Sequence, residues 1–339
     1  MSDEEKVKMG SRRAVPKLTE GGDEVESAPS RSSSAIRELQ KGKSVVGLKA
    51  KLLAYLELVR PHNVLAAVIC VLLGMAASYK VAGYTFNIAD ALAASLVVAL
   101  VSAGGYAIND YFDYMVDLVN KPYRPIPSGR VSPKEALAFS VALGAVGVAF
   151  STWFGYVSVV FVLLNAVLVY AYSAKIKELG IVGNVVVSFE GSASIVYGSL
   201  VASLSIGRYE ILSASVIPAI IAFVLLLGRE IVKTIEDYYA DSVRGVRSLP
   251  RVLGLRKSAL IASIILLSVI PLSFLPYFSG IYDRFVYAPL ATLTIVLIVL
   301  SVARMLRSSN IVSAAAKVRS ILKVSIITGI LALLLSLIF

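Results

Sequence analysis

Three carboxylates and one amide stand where a long apolar stretch of this sequence ends. The segment VVALVSAGGYAI is followed directly by NDYFDYMVD, residues 109–117. Asn109, Asp113 and Asp117 are spaced i, i+4, i+8 and therefore share one face of a helix, with Asp110 beside them. An ionised carboxylate is costly in hydrocarbon, so this placement predicts a partner or a chemical role for the group.

A second acidic stretch has the same spacing. DYMVDLVNKPYRPIPSGR and DYYADSVRGVRSLPR both read D-Y-x-x-D-x-V, followed by basic residues and proline. Asp237 and Asp241 are again four apart, and Lys233 and Arg229 continue the same face one and two turns earlier. The match indicates either a duplicated unit of about four helices or two similar sites under one constraint.

Carboxylates stacked at this spacing repel one another unless a cation neutralises them. Mg²⁺ takes one or two carboxylates and completes its shell with water and phosphate oxygens. Two facing Asp helices are therefore predicted to hold a diphosphate through Mg²⁺. Basic residues near both stretches would contact phosphate: Lys121, Arg124, Arg130, Lys177, Arg244 and Arg247. The sequence has neither the Walker glycine loop nor the Rossmann glycine pattern, which argues against an ATPase.

The elements that carry these residues are predicted to be membrane-spanning helices. Of the 339 residues, 57% are hydrophobic and 16% are charged, against roughly 25% charged in soluble domains. Nine apolar runs are long enough to cross a bilayer: 54–79, 89–109, 134–153, 156–173, 182–204, 211–232, 258–278, 285–304 and 320–339. Continuous runs favour helices over the alternating strands of a barrel. We expect an all-α integral membrane protein.

The distribution of basic residues predicts the orientation. With the N-terminus inside, the inner loops carry 18 Lys and Arg, and the outer loops carry only Lys80, Arg208 and Arg284. The C-terminus is then outside, and both acidic stretches lie near the cytoplasmic face. The net charge of +11 is assigned to loops facing anionic lipid, and not to nucleic-acid binding. One cysteine and one histidine exclude a multi-Cys or multi-His metal centre.

Residues 1–51 differ from the rest of the chain. They are rich in Ser, Glu, Lys and Arg and have no sustained apolar period, which predicts a flexible cytoplasmic tail. They lack the apolar core of a secretory signal, so we expect no cleavable targeting peptide. Residues 52–339 are predicted to form the transmembrane domain.

In combination, these motifs resemble the UbiA superfamily of intramembrane prenyltransferases. The resemblance rests on N-D-x-x-D-x-x-x-D after the second run and D-x-x-x-D after the sixth. R-P-H-N at 60–63 is similar to the R-P-x-N opening of that superfamily, and Y-S-x-x-x-K with G-N at 172–184 is similar to its loop between spans four and five. The resemblance covers about residues 52–339. It implies nine helices around a central cavity and Mg²⁺-dependent ionisation of a prenyl diphosphate.

Within the superfamily, REIVKTIEDYYADSVRGVRSLP is most similar to the branch that builds archaeal ether lipids. Thr234 and Ser248 depart from that branch, which carries Asp and Thr at these positions. The resemblance implies transfer of a geranylgeranyl group from geranylgeranyl diphosphate to geranylgeranylglyceryl phosphate, which forms a second ether bond. The alternative is a 4-hydroxybenzoate-type member, which alkylates an aromatic carbon. Its acceptor also carries an anion, so the basic residues do not distinguish the two activities.

The resemblance also implies roles for individual residues. The metal ligands would be Asn109, Asp110, Asp113, Asp117, Asp237 and Asp241. The catalytic residues would be Asp113, Asp241, Lys177 and Glu190. The substrate would be bound by Arg60, Asn63, Lys121, Arg124, Tyr172, Lys233, Arg244 and Arg247. Tyr111, Tyr114, Tyr170 and Tyr172 could offer π faces to a carbocation, or serve as anchors at the membrane interface.

Two further ionisable residues have competing interpretations. Glu190 lies inside the fifth run, where it could orient or deprotonate the acceptor, or could be a protonated acid hydrogen-bonded between helices. His62 is interpreted as structural. A transporter or cation channel is the alternative of another class, but transporter sites lie near the bilayer midplane at broken helices. Both acidic stretches here lie at one face, which argues against transport.

Overall fold

The computed structural model describes residues 47–243 and 245–339, and all regular structure in this part of the chain is helical. The α-helices are Leu48–Val59, Pro61–Ala82, Ile88–Phe112, Tyr114–Asn120, Pro133–Ser151, Tyr156–Ala174, Ile181–Ile206, Val216–Glu236, Tyr238–Val243, Leu249–Leu253, Leu255–Leu267, Val269–Ser279, Arg284–Arg307 and Ile311–Ile338. Three 3₁₀ turns join them, Thr152–Phe154, Ile176–Glu178 and Tyr209–Ser215. The predicted tail lies outside the described residues, apart from its last positions, where the first helix begins.

Nine helical segments in the described residues are long and apolar enough to cross a membrane, as the sequence predicts. Spans 1 to 9 are Pro61–Ala82, Ile88–Phe112, Pro133–Phe154, Tyr156–Ala174, Ile181–Ile206, Tyr209–Glu236, Leu255–Ser279, Arg284–Arg307 and Ile311–Ile338. Consecutive spans alternate in direction, so the C-terminal ends of spans 2 and 6 lie at the same end of the bundle. The two acidic stretches follow those ends, and this end is called the acidic end below.

The first and last spans begin at residues other than those predicted. The apolar run 54–79 crosses a helix break at Arg60, which has φ 52° and ψ 69° and separates the helix Leu48–Val59 from span 1. Pro61 explains the break, because a proline disfavours the α conformation of the residue before it but suits the first position of a helix. Span 9 begins at Ile311, earlier than the predicted 320, because its first turns carry basic residues that hydropathy penalises.

Spans 1 and 5 approach each other closely near the middle of the bundle. A Cβ atom at Gly74 would overlap the carbonyl oxygen of Ile195, and a Cβ atom at Gly198 would overlap the carbonyl oxygen of Val71. Glycine allows this approach because it has no side chain to separate the two backbones. The close packing increases the van der Waals contact that drives helix association in lipid.

A buried hydrogen bond crosses the same interface. Ser78 Oγ and Ser199 Oγ lie 2.5 Å apart. Span 1 also packs against spans 2 and 9, and span 6 packs against spans 5, 7 and 9. The contact between spans 1 and 5 therefore joins the part of the bundle that carries the first acidic stretch to the part that carries the second.

Polar contacts fasten the first helix to the acidic end. Lys51 Nζ lies 2.5 Å from Glu135 Oε1, and an Arg130 guanidinium nitrogen lies 2.7 Å from Glu57 Oε2. Glu135 also completes a capping box with Ser132 at the start of span 3. These contacts hold the helix Leu48–Val59 against the loop that follows the first acidic stretch.

Candidate active site

Span 2 bends at the first acidic stretch without losing its hydrogen-bond ladder. The helix ends at Phe112, and Asp113 has φ −81° and ψ −3° before the short helix Tyr114–Asn120. The Asp113 amide donates to the Asn109 carbonyl at 2.9 Å, and the Asp117 amide donates to the Asp113 carbonyl at 2.8 Å. The four-residue spacing of these side chains therefore persists through the bend.

The second acidic stretch repeats this backbone geometry. Asp237 has φ −80° and ψ 7° between span 6 and the helix Tyr238–Val243. Its amide donates to the Lys233 carbonyl at 2.9 Å, and the Asp241 amide donates to the Asp237 carbonyl at 2.8 Å. Both D-Y-x-x-D motifs thus place their first carboxylate at a bend and the second one turn later.

The carboxylates of the first stretch are each held by a polar partner. Asp113 accepts a hydrogen bond from Asn109 Nδ2 at 2.9 Å and one from Lys177 Nζ at 2.6 Å. Asp117 accepts from Arg124 at 2.5 Å. Asp110 is buried and accepts from Arg124 at 3.2 Å and from Arg60. The fold therefore brings four predicted site residues from three separate parts of the chain to Asp113 and Asp110. They are Arg60, Asn109, Arg124 and Lys177.

A folded loop returns Arg124 to the acids. The Arg124 amide donates to the Lys121 carbonyl at 3.0 Å, and the Ser128 amide donates to the Arg124 carbonyl at 2.9 Å. Pro125 and Ile126, the residues that follow Arg124, are buried. Burial of this loop fixes the guanidinium between Asp110 and Asp117.

The loop between spans 4 and 5 positions Lys177 in a similar way. Gly180 has φ 62°, and a Cβ atom there would overlap the backbone carbonyl of Arg247. A Cβ atom at Gly183 would meet the Ile176 carbonyl oxygen at 3.0 Å. Glycine is required at Gly180 and favoured at Gly183, so this loop rests against the backbone that follows the second acidic stretch while Lys177 reaches the first.

Asn184 adds a polar group that sequence reasoning gave no role. It is buried at the start of span 5, directly after Gly183. Its Nδ2 has no hydrogen-bond partner among the described residues. A buried amide donor without a partner is costly, and an anionic oxygen at this end of the bundle would satisfy it. The G-N motif was the available signal for this residue.

The two acidic stretches share one electrostatic environment. Desolvation lowers the pKa of Lys121, Arg124 acts in the same direction, and Asp117 and Asp237 oppose them. Desolvation raises the pKa of Asp237, Lys233 opposes this and Asp241 adds to it. Lys121 therefore interacts with both motifs, and the Asp241 carboxylate disfavours charge on Asp237. A cation between them would relieve this repulsion.

A second group of charges lies deeper in span 6. Glu230 is buried and contacts an Arg229 guanidinium nitrogen at 2.5 Å and Lys233 Nζ at 3.2 Å. Tyr172 interacts electrostatically with Lys233, Glu230 and Asp113. We call Arg229, Glu230 and Lys233 the inner basic cluster.

Tyr106 connects the inner basic cluster to Arg60. The Arg60 guanidinium carbon lies 5.2 Å from the centre of the Tyr106 ring, and the same tyrosine interacts with Arg229 and Glu230. The sequence prediction assigned no site role to Tyr106, Arg229 or Glu230. Two charges inside an apolar run were the signal that could have revealed Arg229 and Glu230.

Glu190 lies in a separate cavity of about 70 Å³ between spans 2, 4 and 5. Asn165 and Ser102 also line this cavity. Among the described residues, neither Glu190 Oε1 nor Asn165 Oδ1 has a hydrogen-bond partner. Two buried acceptors therefore face one small space that can hold a hydroxyl group or water molecules. No residue of the acidic stretches lines this cavity.

The other predicted residues occupy varied positions. Asn63 is half-buried and His62 is exposed in the first turn of span 1. Arg247 is exposed and lines a surface cavity of about 400 Å³ with Lys175 and Glu178. Arg244 lies outside the described residues.

The tyrosines at this end have packing partners. Tyr111 and Tyr114 pack against the buried cluster that contains Ala54 and Leu58. Tyr170 Oη lies 2.6 Å from Ser140 Oγ. These contacts are those of packed aromatic residues that connect neighbouring helices, whereas Tyr172 lies among the charged groups.

The donors at the acidic end fit a hard divalent cation that retains much of its water. In the part of the chain that the structure describes, no three Asp, Glu, His or Cys side chains gather closely enough to enclose an ion. Mg²⁺ does not need such a cage, because it binds through one or two carboxylates together with water and phosphate oxygens. The repelling pair Asp237 and Asp241, and Asp113 with its neighbour Asn109, each offer such a partial ligand set.

Comparison with known proteins agrees with this geometry. The model of the UbiA prenyltransferase family matches residues 67–327. A digeranylgeranylglyceryl phosphate synthase from Hyperthermus butylicus is 39% identical over 287 residues, which cover 82% of this chain and 95% of that protein. The protein of the same name from Ignicoccus hospitalis is 40% identical, over 84% of this chain and 91% of that protein.

Solved structures share the fold. A structure of digeranylgeranylglyceryl phosphate synthase is 31% identical with a TM-score of 0.69, and the match covers 85% of this chain and 99% of that one. A UbiA homologue from Archaeoglobus fulgidus bound to GPP and Mg²⁺ is 20% identical with a TM-score of 0.55 over 83% of this chain and 99% of that one. The resemblance inferred from the motifs is thereby confirmed: the chain is a multi-pass membrane protein that belongs to the UbiA prenyltransferase family.

Proposed function

We propose that this protein transfers a geranylgeranyl group from geranylgeranyl diphosphate to geranylgeranylglyceryl phosphate and uses Mg²⁺ to do so. The observation that carries the proposal is the repeated geometry of the two D-Y-x-x-D motifs, which present paired carboxylates and nearby bases at one end of the bundle. The choice of acceptor is supported by relatives of that activity that are 39% and 40% identical over most of the chain.

The proposed metal ligands are the oxygen donors of the two motifs. Asn109, Asp113 and Asp117 would serve one ion and Asp237 and Asp241 the other, while Asp110 flanks them and holds two arginines. When bound there, Mg²⁺ would supply a Lewis acid for the charge on the leaving diphosphate.

The bases that contact the acids would contact the diphosphate. Lys177, Arg124 and Lys121 can donate hydrogen bonds to phosphate oxygens and carry the charge that complements them. Arg60 and Asn63 are proposed contacts of the acceptor at the start of span 1. Arg244 and Arg247 are proposed to meet the diphosphate from the loop after the second motif. The Tyr172 side chain, which interacts electrostatically with Lys233 and Asp113, would face the reacting carbon.

The reaction exchanges one bond to carbon for another. The allylic C–O bond of the donor breaks, and its electron pair leaves with the diphosphate. A hydroxyl oxygen of the acceptor forms the new ether bond and releases its proton. The apolar walls of the spans exclude water, which would otherwise capture the carbocation. We assign the proton to Glu190, because its Oε1 lacks a partner among the described residues and its cavity, although separate from the acidic stretches, can hold a hydroxyl group.

The proposed orientation puts the N-terminus in the cytoplasm and the acidic end at the cytoplasmic face. Its support is the Lys and Arg bias of the loops, 18 against three. Both substrates would then reach the site from the inner leaflet. The acidic end carries Arg124, Arg130 and Lys177, and the opposite end carries Lys80 and Arg208.

A two-acceptor assay tests the proposed function. Purified protein in detergent would receive geranylgeranyl diphosphate and Mg²⁺ with either geranylgeranylglyceryl phosphate or 4-hydroxybenzoate. We expect a diether phosphate from the first acceptor, no product from the second, and loss of product when EDTA removes the metal. Product from the aromatic acceptor alone would keep the family and overturn the substrate. Transfer to neither acceptor would overturn the proposal.

Substitution of Glu190 by Gln tests the assignment of the proton. Gln keeps the shape of the side chain but cannot accept the proton, so kcat should fall about 100-fold, with little change in the KM of the donor. Activity and thermal unfolding in detergent would be measured together. A fall in unfolding temperature with unchanged kcat would instead show a structural hydrogen-bonding role for Glu190.

A further inference from the structure

The inner basic cluster carries more positive charge than its own contacts neutralise. One carboxylate, Glu230, serves both the Arg229 guanidinium at 2.5 Å and the Lys233 ammonium at 3.2 Å. Asp237 also interacts with Lys233, but the proposed function assigns Asp237 to Mg²⁺. Uncompensated charge inside a span is costly, so such a residue is expected to have a partner or a function.

Arg229 also has an unused hydrogen-bond donor. Its guanidinium contacts Glu230 through one terminal nitrogen. Its Nε is buried and has no hydrogen-bond partner in the part of the chain that the structure describes. A buried N–H group of a charged side chain costs free energy when it lacks an acceptor. An anionic oxygen beside Arg229 would satisfy both the donor and the charge.

The position of the cluster separates it from the proposed diphosphate site. Lys233 and Arg229 precede Asp237 by four and eight residues, which places them roughly 6 and 12 Å deeper along the helix axis. The diphosphate site already has Lys177, Arg124 and Lys121 close to its acids. The inner basic cluster therefore lies on the apolar side of the leaving group, where the prenyl carbon and the acceptor meet.

Bare positive charge at this depth would oppose the proposed reaction. Positive charge develops on the allylic carbon as its C–O bond breaks, and two nearby cations raise the energy of that state. An anion seated on Arg229 and Lys233 removes this penalty and adds favourable electrostatic stabilisation. The acceptor of the proposed reaction carries such an anion, a phosphomonoester close to its reacting hydroxyl.

We infer that Arg229 and Lys233, held in place by Glu230, bind the phosphate of the acceptor and make the enzyme selective for a phosphorylated glycerol lipid. This inference rests on the proposed function and assigns its acceptor subsite. Arg229 and Glu230 are thereby binding and positioning residues: the guanidinium contacts the phosphate, and the carboxylate fixes the two cations. The phosphate then contributes to the rate as well as to affinity.

An Arg229→Gln variant tests this subsite through the two substrates separately. We expect the KM of geranylgeranylglyceryl phosphate to rise about 10- to 100-fold, as for the loss of a hydrogen bond to a charged group. The KM of geranylgeranyl diphosphate should not change. Wild-type protein should strongly prefer the phosphorylated acceptor to geranylgeranylglycerol, and the variant should lose most of that preference. Arg229→Lys, which keeps the charge, should restore much of it.

A binding measurement without catalysis accompanies the kinetics. In the absence of donor and metal, geranylgeranylglyceryl phosphate should raise the unfolding temperature of the wild-type protein in detergent, and geranylgeranylglycerol should raise it less. Arg229→Gln should abolish the difference. Arg208→Gln is the matched control, because Arg208 forms an exposed ion pair with Glu210 at the opposite end of span 6, and this variant should behave as wild type.

The outcomes distinguish the inference from the proposed function. A raised KM for the diphosphate donor in Arg229→Gln would assign the cluster to the donor and overturn the inference. An unchanged preference for the phosphorylated acceptor would also overturn it. Failure of the wild-type protein to form a diether phosphate would overturn the proposed function itself. If Arg229→Gln is too unstable to purify, the same measurements on Lys233→Gln and Arg229→Lys test the inference. Lys233→Gln should lose preference for the phosphorylated acceptor, and Arg229→Lys should keep much of it.

Discussion

Replacing Asp113 by Asn should lower the rate of prenyl transfer about 1,000-fold, an effect comparable to the loss of a principal electrostatic group in an active site. Asn matches the size of Asp and can still accept a hydrogen bond from Asn109, but it removes the charge that Lys177 contacts at 2.6 Å. The charge is also what a divalent cation would need. Product formation from geranylgeranyl diphosphate and geranylgeranylglyceryl phosphate, followed over time in detergent, measures the effect.

Two further variants make this result specific. Asp237→Asn should produce a loss of similar size, because Asp237 occupies the equivalent bend of the second motif. Glu178→Gln is the matched control, since Glu178 lies in an exposed pair with Lys175 beside the site, and it should retain activity. An Asp113→Asn enzyme with near wild-type rate would remove the first motif from the proposed mechanism.

Replacing Gly198 by Ala should destabilise the bundle by about 3 kcal/mol or more, at the upper end of the cost of overpacking. The added methyl group would overlap the carbonyl oxygen of Val71. A backbone atom of the neighbouring helix cannot rotate away as a side chain can, so spans 1 and 5 must separate. Separation would also strain the hydrogen bond between Ser78 and Ser199. Unfolding in SDS, or loss of monodisperse protein on heating in detergent, measures the change.

A series of glycine variants provides the controls. At Gly144 the nearest heavy atom to an added Cβ is Tyr170 Oη at 3.7 Å, so Gly144→Ala should be neutral or stabilising, since alanine is the better helix former. At Gly191 the nearest atom is Leu226 Cδ1 at 2.5 Å, which can rotate, so an intermediate cost is expected. Equal stability of the Gly198 and Gly144 variants would show that the close crossing is not required.

The local sequence was sufficient to predict the membrane architecture and the two acidic motifs. A span needs about 20 apolar residues, and charges interrupt such runs so clearly that nine could be counted. The structure also keeps the predicted helical spacing of Asn109, Asp113 and Asp117, because the backbone hydrogen bonds continue through the bend at Asp113. Hydropathy did not reveal the break at Arg60, because apolar residues continue on both sides of it and it is Pro61 that marks the boundary.

Contacts between helices were decided by the tertiary structure. Periodicity shows which residues of one helix share a face, but not which helix that face meets. The pair of Lys177 and Asp113 spans 64 positions and depends on Gly180 and Gly183, which let the intervening loop pack closely. The residues of the inner basic cluster are neighbours on one helix, but their interactions with Tyr106 and Tyr172 arise only from the packing of span 6 against other spans. The physical reason is that side-chain interactions act over a few ångströms, and the distances between segments far apart in sequence are set by the packing of the whole bundle.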